Sequence, residues 1–548
     1  MSSTNQNSIN FAKLRPHQQL DPSSSEKLSA KLEIPYSNVG ELLASKAQLN
    51  PDKVFVLSPG LEEESFTYSD FFRRVGDAAQ YLHQLGFHDG DRMALIVPNS
   101  PLFLFLYFAA LRLGITVVPI NPEMAPREMA FIVQNSRAKS VIFHNSAKEK
   151  AAALAGILEP KLAMHELDGY QHFDRFQNLK SITLPVVDLN HEAVIIYTSG
   201  TTGNPKGVVL CHLNLLADAK AIHDWFQFSP ETRTLCILPL FHNNGQIVTL
   251  LAPLYGGGST VIVQGRSSLG SFWGLVARYE VTMTSIMSSI LSILLSLPTK
   301  RTDTSLRGII CGGQVLLPSV QESFEERFKV PIFEGFGLTE TTSFSCFNDF
   351  PATKRRPGSI GRALPINRME VLTEDGAILP ANEVGQIVIR GLNVCNEYLS
   401  LPEVNTQRFR DGWFFSGDYG YKDDDGYFYF KGRKDFLIIK GGENIYPSEL
   451  ENVLYLHDDV DEVAVVGIDC KLLGQDLAAF IKLKEGSKVS KDELKRFCVD
   501  KIAKFKQPKE IVLLNELPDL KEIPKGPTKK VLYNVLAKYY ADKLAPKG

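Results

Sequence analysis

The segment from residue 197 to 207 reads YTSGTTGNPKG and directly follows the apolar stretch Ala193–Ile196. Its glycines free the backbone to curl, so that several peptide N–H groups can converge on one anion. Threonine and serine hydroxyls and one lysine stand beside two of these glycines. The residues that would bind the anion are Thr198, Ser199, Gly200, Thr201, Thr202, Gly203 and Lys206. Because the G-x-x-x-x-G-K-[ST] spacing of a Walker A loop is missing, the segment predicts a phosphate-binding loop of another type.

Further clusters of polar residues and glycines follow in the second half of the chain. Glu340 and Asp418 supply carboxylates in two of them. Taken singly, such a residue fits a turn, a helix cap or a core position. In chain order the clusters are PLFH (239–242), CGGQ (311–314), EGFGLTE (334–340), GSIG (358–361), WFFSGD (413–418), GRKD (432–435), KGGEN (440–444), FKQPK (505–509) and IPKGPTKK (523–530).

Together these motifs resemble, in order, those of the adenylate-forming (AMP-binding) superfamily, which includes acyl-CoA synthetases, carrier-protein adenylation domains and luciferases. The resemblance implies an α/β fold: a large N-terminal domain of two α/β layers plus a small β-barrel, and a small mobile α+β C-terminal domain. It also implies a reaction in two halves. A carboxylate attacks the α-phosphate of ATP to give acyl-AMP and pyrophosphate, and the thiol of coenzyme A then takes the acyl group. Since two anions meet in the first half, cations and fixed N–H dipoles must offset their repulsion.

The resemblance assigns roles to individual residues of the nucleotide site. The loop after residue 197 would hold the β- and γ-phosphates, Thr339 would reach the α-phosphate, and Phe336 would offer its ring to adenine. Asp418 and Arg433 would bind the ribose. The full expected nucleotide set is Thr198, Ser199, Gly200, Thr201, Thr202, Gly203, Lys206, Gly312, Gly313, Gln314, Glu334, Gly335, Phe336, Gly337, Thr339, Asp418, Arg433 and Lys530.

The same resemblance assigns the metal, the catalytic residues and the other substrates. Glu340 is the expected Mg²⁺ ligand, and Thr339, Glu340, Asp435 and Lys530 are the expected catalytic residues. Asp435 lies at the hinge position of the family, two residues after Arg433. The acyl substrate is expected at His242, Gly335 and Leu338, and coenzyme A at Lys440, Gly441 and Gly442.

Lys530 stands where family members carry the lysine that bridges the carboxylate and the α-phosphate. Their usual pattern is P-K-T-x-x-G-K, whereas this chain reads PKGPTKK, so that Lys529 replaces the glycine. Losing the glycine removes the freedom to adopt a positive φ. Either Lys529 or Lys530 is therefore a candidate for the inserting lysine.

The elements that must position these residues alternate between helical stretches and short β-branched runs from about residue 35 to 330. This alternation favours α/β layers with largely parallel sheets. Shorter strands between Gly, Pro and Asp turns predict a β-rich subdomain at 355–432. We divide the chain into a polar N-terminal tail (1–33), an N-terminal adenylate-forming domain (34–434) and a C-terminal domain (435–548). The predicted strands of the first layers are Met93–Val97, Ser140–Phe143, Ala193–Tyr197, Thr234–Leu238, Thr260–Val263 and Gly308–Cys311, and the clearest helices are Tyr68–Leu85 and Leu316–Phe328. In the C-terminal domain, the sequence predicts a helix at Ile445–Tyr455.

The amino-acid composition limits the classes of binding partner and the cellular compartment that we expect for the protein. The 59 Lys and Arg against 62 Asp and Glu give a net charge of −3, so no overall field attracts nucleic acid. Seven scattered cysteines without a C-x-x-C pair indicate free thiols and a cytoplasmic location. The apolar run Leu102–Ile120 contains Arg112, Gly114 and Pro119, which favours a buried helix and strand over an integral membrane segment.

The sequence thus predicts an acyl-CoA synthetase that uses ATP, Mg²⁺ and coenzyme A to activate a small-molecule carboxylate. No basic residue in the expected pocket segments would hold a second carboxylate, so a mainly apolar monocarboxylate is expected. Two alternatives stay open: a stand-alone adenylation enzyme that loads an acyl carrier protein, and a non-catalytic nucleotide-binding homologue, which Lys529 favours.

Overall fold

The computed structural model describes residues 14–20, 33–60, 63–176, 182–198, 205–302, 304–526 and 531–545. The chain forms two compact units. The first consists of Met1–Met369 and Val388–Phe415, and the second of Glu370–Ile387 and Ser416–Gly548.

Helices and short strands alternate along most of the described chain. The helices are α1 (Val39–Leu49), α2 (Tyr68–Gln84), α3 (Pro101–Arg112), α4 (Pro126–Asn135), α5 (Lys148–Ile157), α6 (His212–Trp225), α7 (Asn243–Gln246), α8 (Ala252–Gly256), α9 (Phe272–Arg278), α10 (Ser288–Ser296), α11 (Pro318–Phe328), α12 (Pro402–Arg408), α13 (Pro447–Leu454), α14 (Lys491–Cys498) and α15 (Tyr533–Tyr539). The strands are β1 (Val54–Ser58), β2 (Glu64–Thr67), β3 (Arg92–Ile96), β4 (Thr116–Pro119), β5 (Ser140–His144), β6 (Ala163–Leu167), β7 (Glu192–Thr198), β8 (Lys206–Cys211), β9 (Arg233–Cys236), β10 (Ser259–Ile262), β11 (Met283–Ile286), β12 (Gly308–Cys311), β13 (Ile332–Phe336), β14 (Cys346–Phe347), β15 (Arg362–Ala363), β16 (Asn367–Leu372), β17 (Gly385–Gly391), β18 (Glu397–Tyr398), β19 (Phe409–Arg410), β20 (Trp413–Lys422), β21 (Phe428–Arg433), β22 (Ile438–Lys440), β23 (Glu443–Ile445), β24 (Val460–Cys470), β25 (Gly474–Leu483) and β26 (Glu510–Leu513).

A seven-stranded sheet in the first unit carries the phosphate-binding segment. Its order is β18-β8-β7-β4-β3-β5-β6, and the pairs from β7 to β6 are parallel, whereas β8 and β18 add antiparallel strands at one edge. Helix α3 crosses from β3 to β4 and is buried from Pro101 to Leu111, because its sequence is apolar on every face. The apolar run is therefore a buried helix and a buried strand, as predicted. None of the helices in the described part of the chain combines the length and apolar character that a bilayer crossing requires.

A nine-stranded sheet, also in the first unit, carries the remaining motifs of that unit. Its order is β15-β14-β13-β12-β11-β9-β10-β1-β2, and the strands from β13 to β1 run parallel. Helices α9, α10 and α11 pack on one face around Phe272, Ile290 and Phe324. The carboxyl ends of β12 and β13 lead directly into the CGGQ and EGFGLTE motifs, at the edge where parallel sheets hold their ligands.

A five-stranded sheet of order β16-β17-β20-β19, with β21 beside β20, forms the half-barrel where the sequence predicts a β-rich subdomain. A sheet of order β23-β22-β25-β24, in which β26 lies parallel to β25, lies wholly within the second unit. Helices cover this sheet on both faces, around Leu450 on one side and Leu536 on the other. The α/β class and the split into a large and a small part are confirmed, while the exact domain boundaries remain predictions.

One predicted helix begins later than expected. The sequence suggests a helix from Ile445, but Ile445 belongs to β23 and pairs with Ile438. Helix α13 begins only at Pro447, where a proline at the first helical position loses no hydrogen bond. All seven cysteines are free, and all except Cys470 are buried.

Candidate active site

The predicted phosphate-binding loop joins two antiparallel strands. Thr198 ends β7 and pairs with Lys206, which begins β8, and the Thr198 hydroxyl donates to the Lys206 carbonyl at 3.5 Å. The strands therefore fix both ends of the loop at adjacent positions. The predicted residues Ser199, Gly200, Thr201, Thr202 and Gly203 lie outside the described residues.

A tight turn follows β13 and places the predicted residues Thr339 and Glu340. Leu338 N–H donates to the Thr341 hydroxyl at 3.0 Å, and Thr339–Thr341 form one turn of 3₁₀ helix. Thr342 then adopts a φ of 62°, which is costly for a β-branched residue. Such a conformation persists only where neighbouring groups enforce it, and strained residues of this kind concentrate at functional sites.

Glycines allow the backbone of this turn to pack closely on the residues that follow it. A Cβ atom on Gly337 would lie 1.9 Å from the Ser343 carbonyl oxygen, and one on Gly335 would lie 2.3 Å from the Phe347 ring. One on Gly312 would meet the Phe344 ring at 2.4 Å. The predicted glycines of both strand ends are thus required by packing within the first unit, whether or not a nucleotide approaches them.

The other predicted residues at these strand ends differ in exposure. Phe336 is only partly buried, so its ring remains accessible. Gly313 has a φ of 82°, and the neighbouring Gln314 accepts from the Ser288 hydroxyl at 3.4 Å. Glu334 is buried, and burial raises the pKa of its carboxyl group to about 8. A carboxyl group in that state is mainly neutral at pH 7 and adds little repulsion towards an anion.

Two groups from one loop hold Glu340. The Tyr398 hydroxyl donates to Oε1 of Glu340 at 2.6 Å, and the Cys395 N–H donates to its backbone carbonyl at 2.8 Å. Within the described ranges, Oε2 of Glu340 receives no hydrogen bond. The Lys206 ammonium lies 5.8 Å from the centre of the Tyr398 ring, within the range of a cation–π contact. Tyr398 therefore connects the carboxylate of the turn with the cation of the phosphate-binding segment.

A buried polar network is hydrogen-bonded to the backbone of the turn that contains Thr339 and Glu340 and to the residues that follow it. Asp218 of helix α6 accepts from the Phe344 N–H and from the Asn393 amide, both at 3.4 Å. The same amide donates to the Thr341 and Phe344 carbonyls, and the Thr342 hydroxyl donates to the Asn393 carbonyl at 2.7 Å. Burial raises the pKa of Asp218 from 3.8 to about 7. These contacts constrain the backbone on both sides of the strained Thr342.

One predicted acyl residue, His242, lies at the start of helix α7. His242 precedes the helix and packs on Phe241 with a ring separation of 4.6 Å. The Asn243 amide donates to the Thr339 carbonyl at 3.4 Å, which brings this segment to the Glu340 turn. Oδ1 of Asn243 is buried and has no hydrogen-bond partner among the described residues. Of the other two predicted acyl residues, Leu338 is partly exposed in the turn itself and Gly335 is buried in strand β13.

The second unit holds the remaining predicted residues. Asp418 is buried and pairs across the strands with Arg433, whose Nε lies 3.6 Å from Oδ1 of Asp418. Arg433 also approaches Asp435, with 3.8 Å between Nη2 and Oδ2. One guanidinium thus links the predicted ribose acceptor to the predicted hinge residue.

Lys440, Gly441 and Gly442 form the tip of the β22–β23 hairpin. The two glycines have φ values of 60° and 87°, which the turn requires. The Lys440 ammonium lies 2.5 Å from Oδ1 of Asp476, a contact that the sequence does not predict. Lys529 and Lys530 lie outside the described residues, between Lys525 and Val531, which pair as an isolated bridge.

Sequence reasoning missed Tyr398, Asp218 and Asn393. Each belongs to an element that reads as ordinary strand, helix or loop, and the residues that they contact are distant in the sequence. Tyr398, for example, lies 58 residues from Glu340. The one signal in the sequence was the acidic Asp218 between two alanines in the stretch LNLLADAKAI, which a core position explains equally well.

Glu340 fits a metal ion that is shared with a substrate. In the parts of the chain that the structure describes, no three or more His, Cys, Asp or Glu side chains gather into a metal-binding group. Mg²⁺ typically binds through one or two carboxylates and completes its shell with substrate phosphates and water. A single carboxylate with one oxygen held and the other without a protein hydrogen bond suits that mode of binding.

Comparison with known proteins identifies the family. The model of the AMP-binding enzyme family matches residues 43–399, and that of the AMP-binding enzyme C-terminal domain matches residues 449–521. The chain therefore belongs to the family of AMP-binding enzymes. Because its curated relatives are CoA ligases, it is an AMP-forming acid–thiol ligase.

Similar proteins are CoA ligases. A sulfoacetate–CoA ligase of Cupriavidus necator is 33% identical over 501 residues, covering 90% of this chain and 96% of the relative. A crotonobetaine/carnitine–CoA ligase of Salmonella paratyphi A is 32% identical over 502 residues, covering 88% and 96%. Among solved structures, ATP-bound MatB from Rhodopseudomonas palustris is similar with a TM-score of 0.84 and 28% identity, covering 92% of this chain and 99% of that chain.

Replacing Gly337 by alanine tests the packing of the turn. The new Cβ atom would lie 1.9 Å from the Ser343 carbonyl oxygen, so the backbone around Thr339 and Glu340 must shift. Because displacements of about 1 Å can cost about 10²-fold in rate, we expect a loss of that order in ATP–pyrophosphate exchange. The matched control is Gly76→Ala on helix α2, where a Cβ atom meets nothing within 4 Å. Equal activity of the two variants would contradict the packing argument.

The buried Asp218 predicts a pH dependence of stability. Its pKa is higher in the folded state, so its stabilising contribution is present below pH 3.8 and is lost as pH rises to about 7. Asp218→Asn has no such titration. The free energy of unfolding of the variant minus that of the wild type should therefore increase as pH rises from about 4 to about 8, as measured by urea denaturation. The exposed Asp52→Asn serves as the control, and a pH-independent difference for Asp218→Asn would refute the assignment.

Proposed function

We propose that the protein activates a carboxylic acid as acyl-AMP at the expense of Mg²⁺-bound ATP, releases pyrophosphate, and transfers the acyl group to coenzyme A. The observation that carries the proposal is the shared contact of Tyr398. Its hydroxyl binds Glu340 and its ring faces Lys206, so a carboxylate for the metal and a cation for phosphate oxygens flank one side chain. Acyl-AMP formation requires these two charges, because an anionic carboxylate must approach a polyanion.

The metal has a defined place in this proposal. Glu340 would hold Mg²⁺ through Oε2, and the phosphates would supply further ligands. When bound, the ion offsets negative charge on the phosphate oxygens. The Thr339 hydroxyl, one residue away, would donate to the α-phosphate.

The second unit contributes a ribose contact and the transfer chemistry. Asp418 would accept from the ribose hydroxyls, with Arg433 holding its carboxylate in place. Lys530 would supply the cation for the carboxylate and the α-phosphate, and Asp435 would be the hinge residue. The glycine tip at 441–442 would let the pantetheine arm of coenzyme A pass close to the backbone.

The acyl substrate is proposed to be a short acid with a polar group. The sequence alone suggests a mainly apolar monocarboxylate, but the buried Oδ1 of Asn243 has no partner within the described residues, next to the Thr339 carbonyl. A buried amide oxygen without a hydrogen bond is costly, and a donor on the substrate would satisfy it. The two relatives are named for sulfoacetate and for crotonobetaine and carnitine, which are short charged acids.

The experiment that tests this function is ATP–[³²P]pyrophosphate exchange with a panel of acids. The panel contains sulfoacetate, carnitine, hexanoate and benzoate, each with Mg²⁺. We expect exchange with at least one short polar acid, and AMP release that requires coenzyme A but no carrier protein. AMP release that requires a carrier protein would favour the alternative adenylation enzyme. Absence of exchange with every acid would favour the non-catalytic alternative.

The two lysines near the chain end are distinguished by separate half-reactions. Lys530→Ala should slow acyl-AMP formation by about 10²–10³-fold, the scale for loss of one transition-state donor. Thioester formation from synthetic acyl-AMP should change much less, because the α-phosphate has already reacted. Lys529→Ala is the matched control and should retain most of both activities. Equal losses in both half-reactions would reject the role of Lys530, and a larger loss with Lys529→Ala would assign it to Lys529.

A further inference from the structure

Tyr398 lies on a short strand that ties two parts of the candidate site together. Strand β18 pairs with β8, so that Tyr398 stands opposite Val208, and the Leu399 N–H donates to the Gly207 carbonyl at 2.8 Å. Strand β8 begins at Lys206, the end of the phosphate-binding loop. The loop just before β18 supplies the Cys395 N–H that binds the Glu340 carbonyl. Residues 395–399 are therefore hydrogen-bonded both to the end of the predicted phosphate-binding segment and to Glu340.

An N-terminal segment, which we call the strap (residues 14–20), packs on the same loop. The sequence suggests a polar tail over residues 1–33, yet His17 and Gln18 of the strap are buried. Nε2 of His17 lies 2.9 Å from the Cys395 carbonyl, and the Gln18 amide donates to the Val394 carbonyl at 3.0 Å. The His17 ring also stacks on Phe409 at 4.4 Å.

The chemistry of these contacts is specific. The strap binds the loop through hydrogen bonds to two backbone carbonyls and to the Asn396 side chain, rather than through apolar packing alone. Cys395 makes both contacts, because its carbonyl binds His17 and its N–H binds Glu340. A shift of the strap would therefore move both contacts of Glu340, through Cys395 and through Tyr398.

We propose that Tyr398 is a positioning residue for Glu340 and that the strap holds the loop that leads into Tyr398. The strap, which precedes the region matched by the family model, would thereby set the affinity for Mg²⁺-bound ATP. This inference rests on the proposed role of Glu340 as the metal ligand. The Tyr398 hydroxyl donates to Oε1 and would leave Oε2 for the ion. Groups that orient a metal ligand are typically worth about 10–100-fold in metal affinity or activity.

The test uses Tyr398→Phe, which removes the hydroxyl and keeps the ring against Lys206. Isothermal titration would measure the Kd of ATP in excess Mg²⁺ and in EDTA. We expect the Kd in Mg²⁺ to rise about 10-fold and the Kd in EDTA to change less than about 2-fold, because only the metal contact is affected. The Mg²⁺ concentration for half-maximal pyrophosphate exchange should rise in parallel.

The matched control is Tyr68→Phe. Tyr68 is buried in the same unit and its hydroxyl donates to the Gly258 carbonyl at 2.7 Å, a contact that does not involve the site. This variant should show the wild-type ratio of the two Kd values even if its Tm falls. An unchanged ratio for Tyr398→Phe, or an equal loss with and without Mg²⁺, would overturn the positioning role.

The strap is tested by the double variant His17→Ala with Gln18→Ala. We expect the same selective rise of the Kd in Mg²⁺, accompanied by a lower Tm. A lower Tm with the wild-type ratio of Kd values would show that the strap only stabilises the fold and would overturn its part of the proposal. If the wild type itself binds ATP equally with Mg²⁺ and with EDTA, the proposed role of Glu340 fails instead. These results separate the inference from the function on which it rests.

Discussion

A carboxylate that faces a triphosphate must be held by hydrogen bonds, because electrostatic repulsion between the two anions would otherwise turn it towards solvent. In this protein, Glu340 is the proposed metal ligand, and the hydrogen bonds that it receives from Tyr398 and Cys395 would meet that constraint. They hold one carboxylate oxygen and the backbone carbonyl, and they come from a loop that also borders the phosphate-binding strand. The remainder of the first unit can be understood as the support that keeps this loop and the Glu340 turn in register.

That support is built from close packing and from buried polar groups. Glycines at 312, 335 and 337 admit the Phe344 and Phe347 rings and the Ser343 carbonyl at distances that a side chain would exclude. Asp218 and Asn393 then satisfy the backbone groups that the turn leaves inside the protein. A buried network of this kind favours one conformation strongly, since each unsatisfied group would cost free energy. The strained Thr342 is tolerated within that network.

Much of the fold could be predicted from local sequence patterns. Helix α2 begins at Tyr68 as expected, since Thr67 caps it and its apolar positions recur with helical spacing. The buried course of Leu102–Ile120 was also predictable, because Arg112 and Gly114 divide it at the end of α3. Helix α13 was placed two residues early, because the pairing of Ile445 with Ile438 depends on a neighbouring strand. The EGFGLTE motif pointed to Thr339 and Glu340 as site residues, but not to the 3₁₀ turn that holds them, and the roles of the individual residues remain predictions. The contacts of Glu340 could not be predicted, since Tyr398 is 58 residues away and the contact of His17 with the Cys395 carbonyl spans 378 residues.

In the proposed site, Glu340 and the segment ending at Lys206 bind the metal and the phosphates of one nucleotide. A crystal structure of the protein with Mg²⁺ and a non-hydrolysable ATP analogue would test this arrangement. We expect a metal ion on Glu340, triphosphate oxygens beside Lys206, and adenine against the Phe336 ring. A nucleotide bound elsewhere on the chain, or a metal ion that does not contact Glu340, would contradict it.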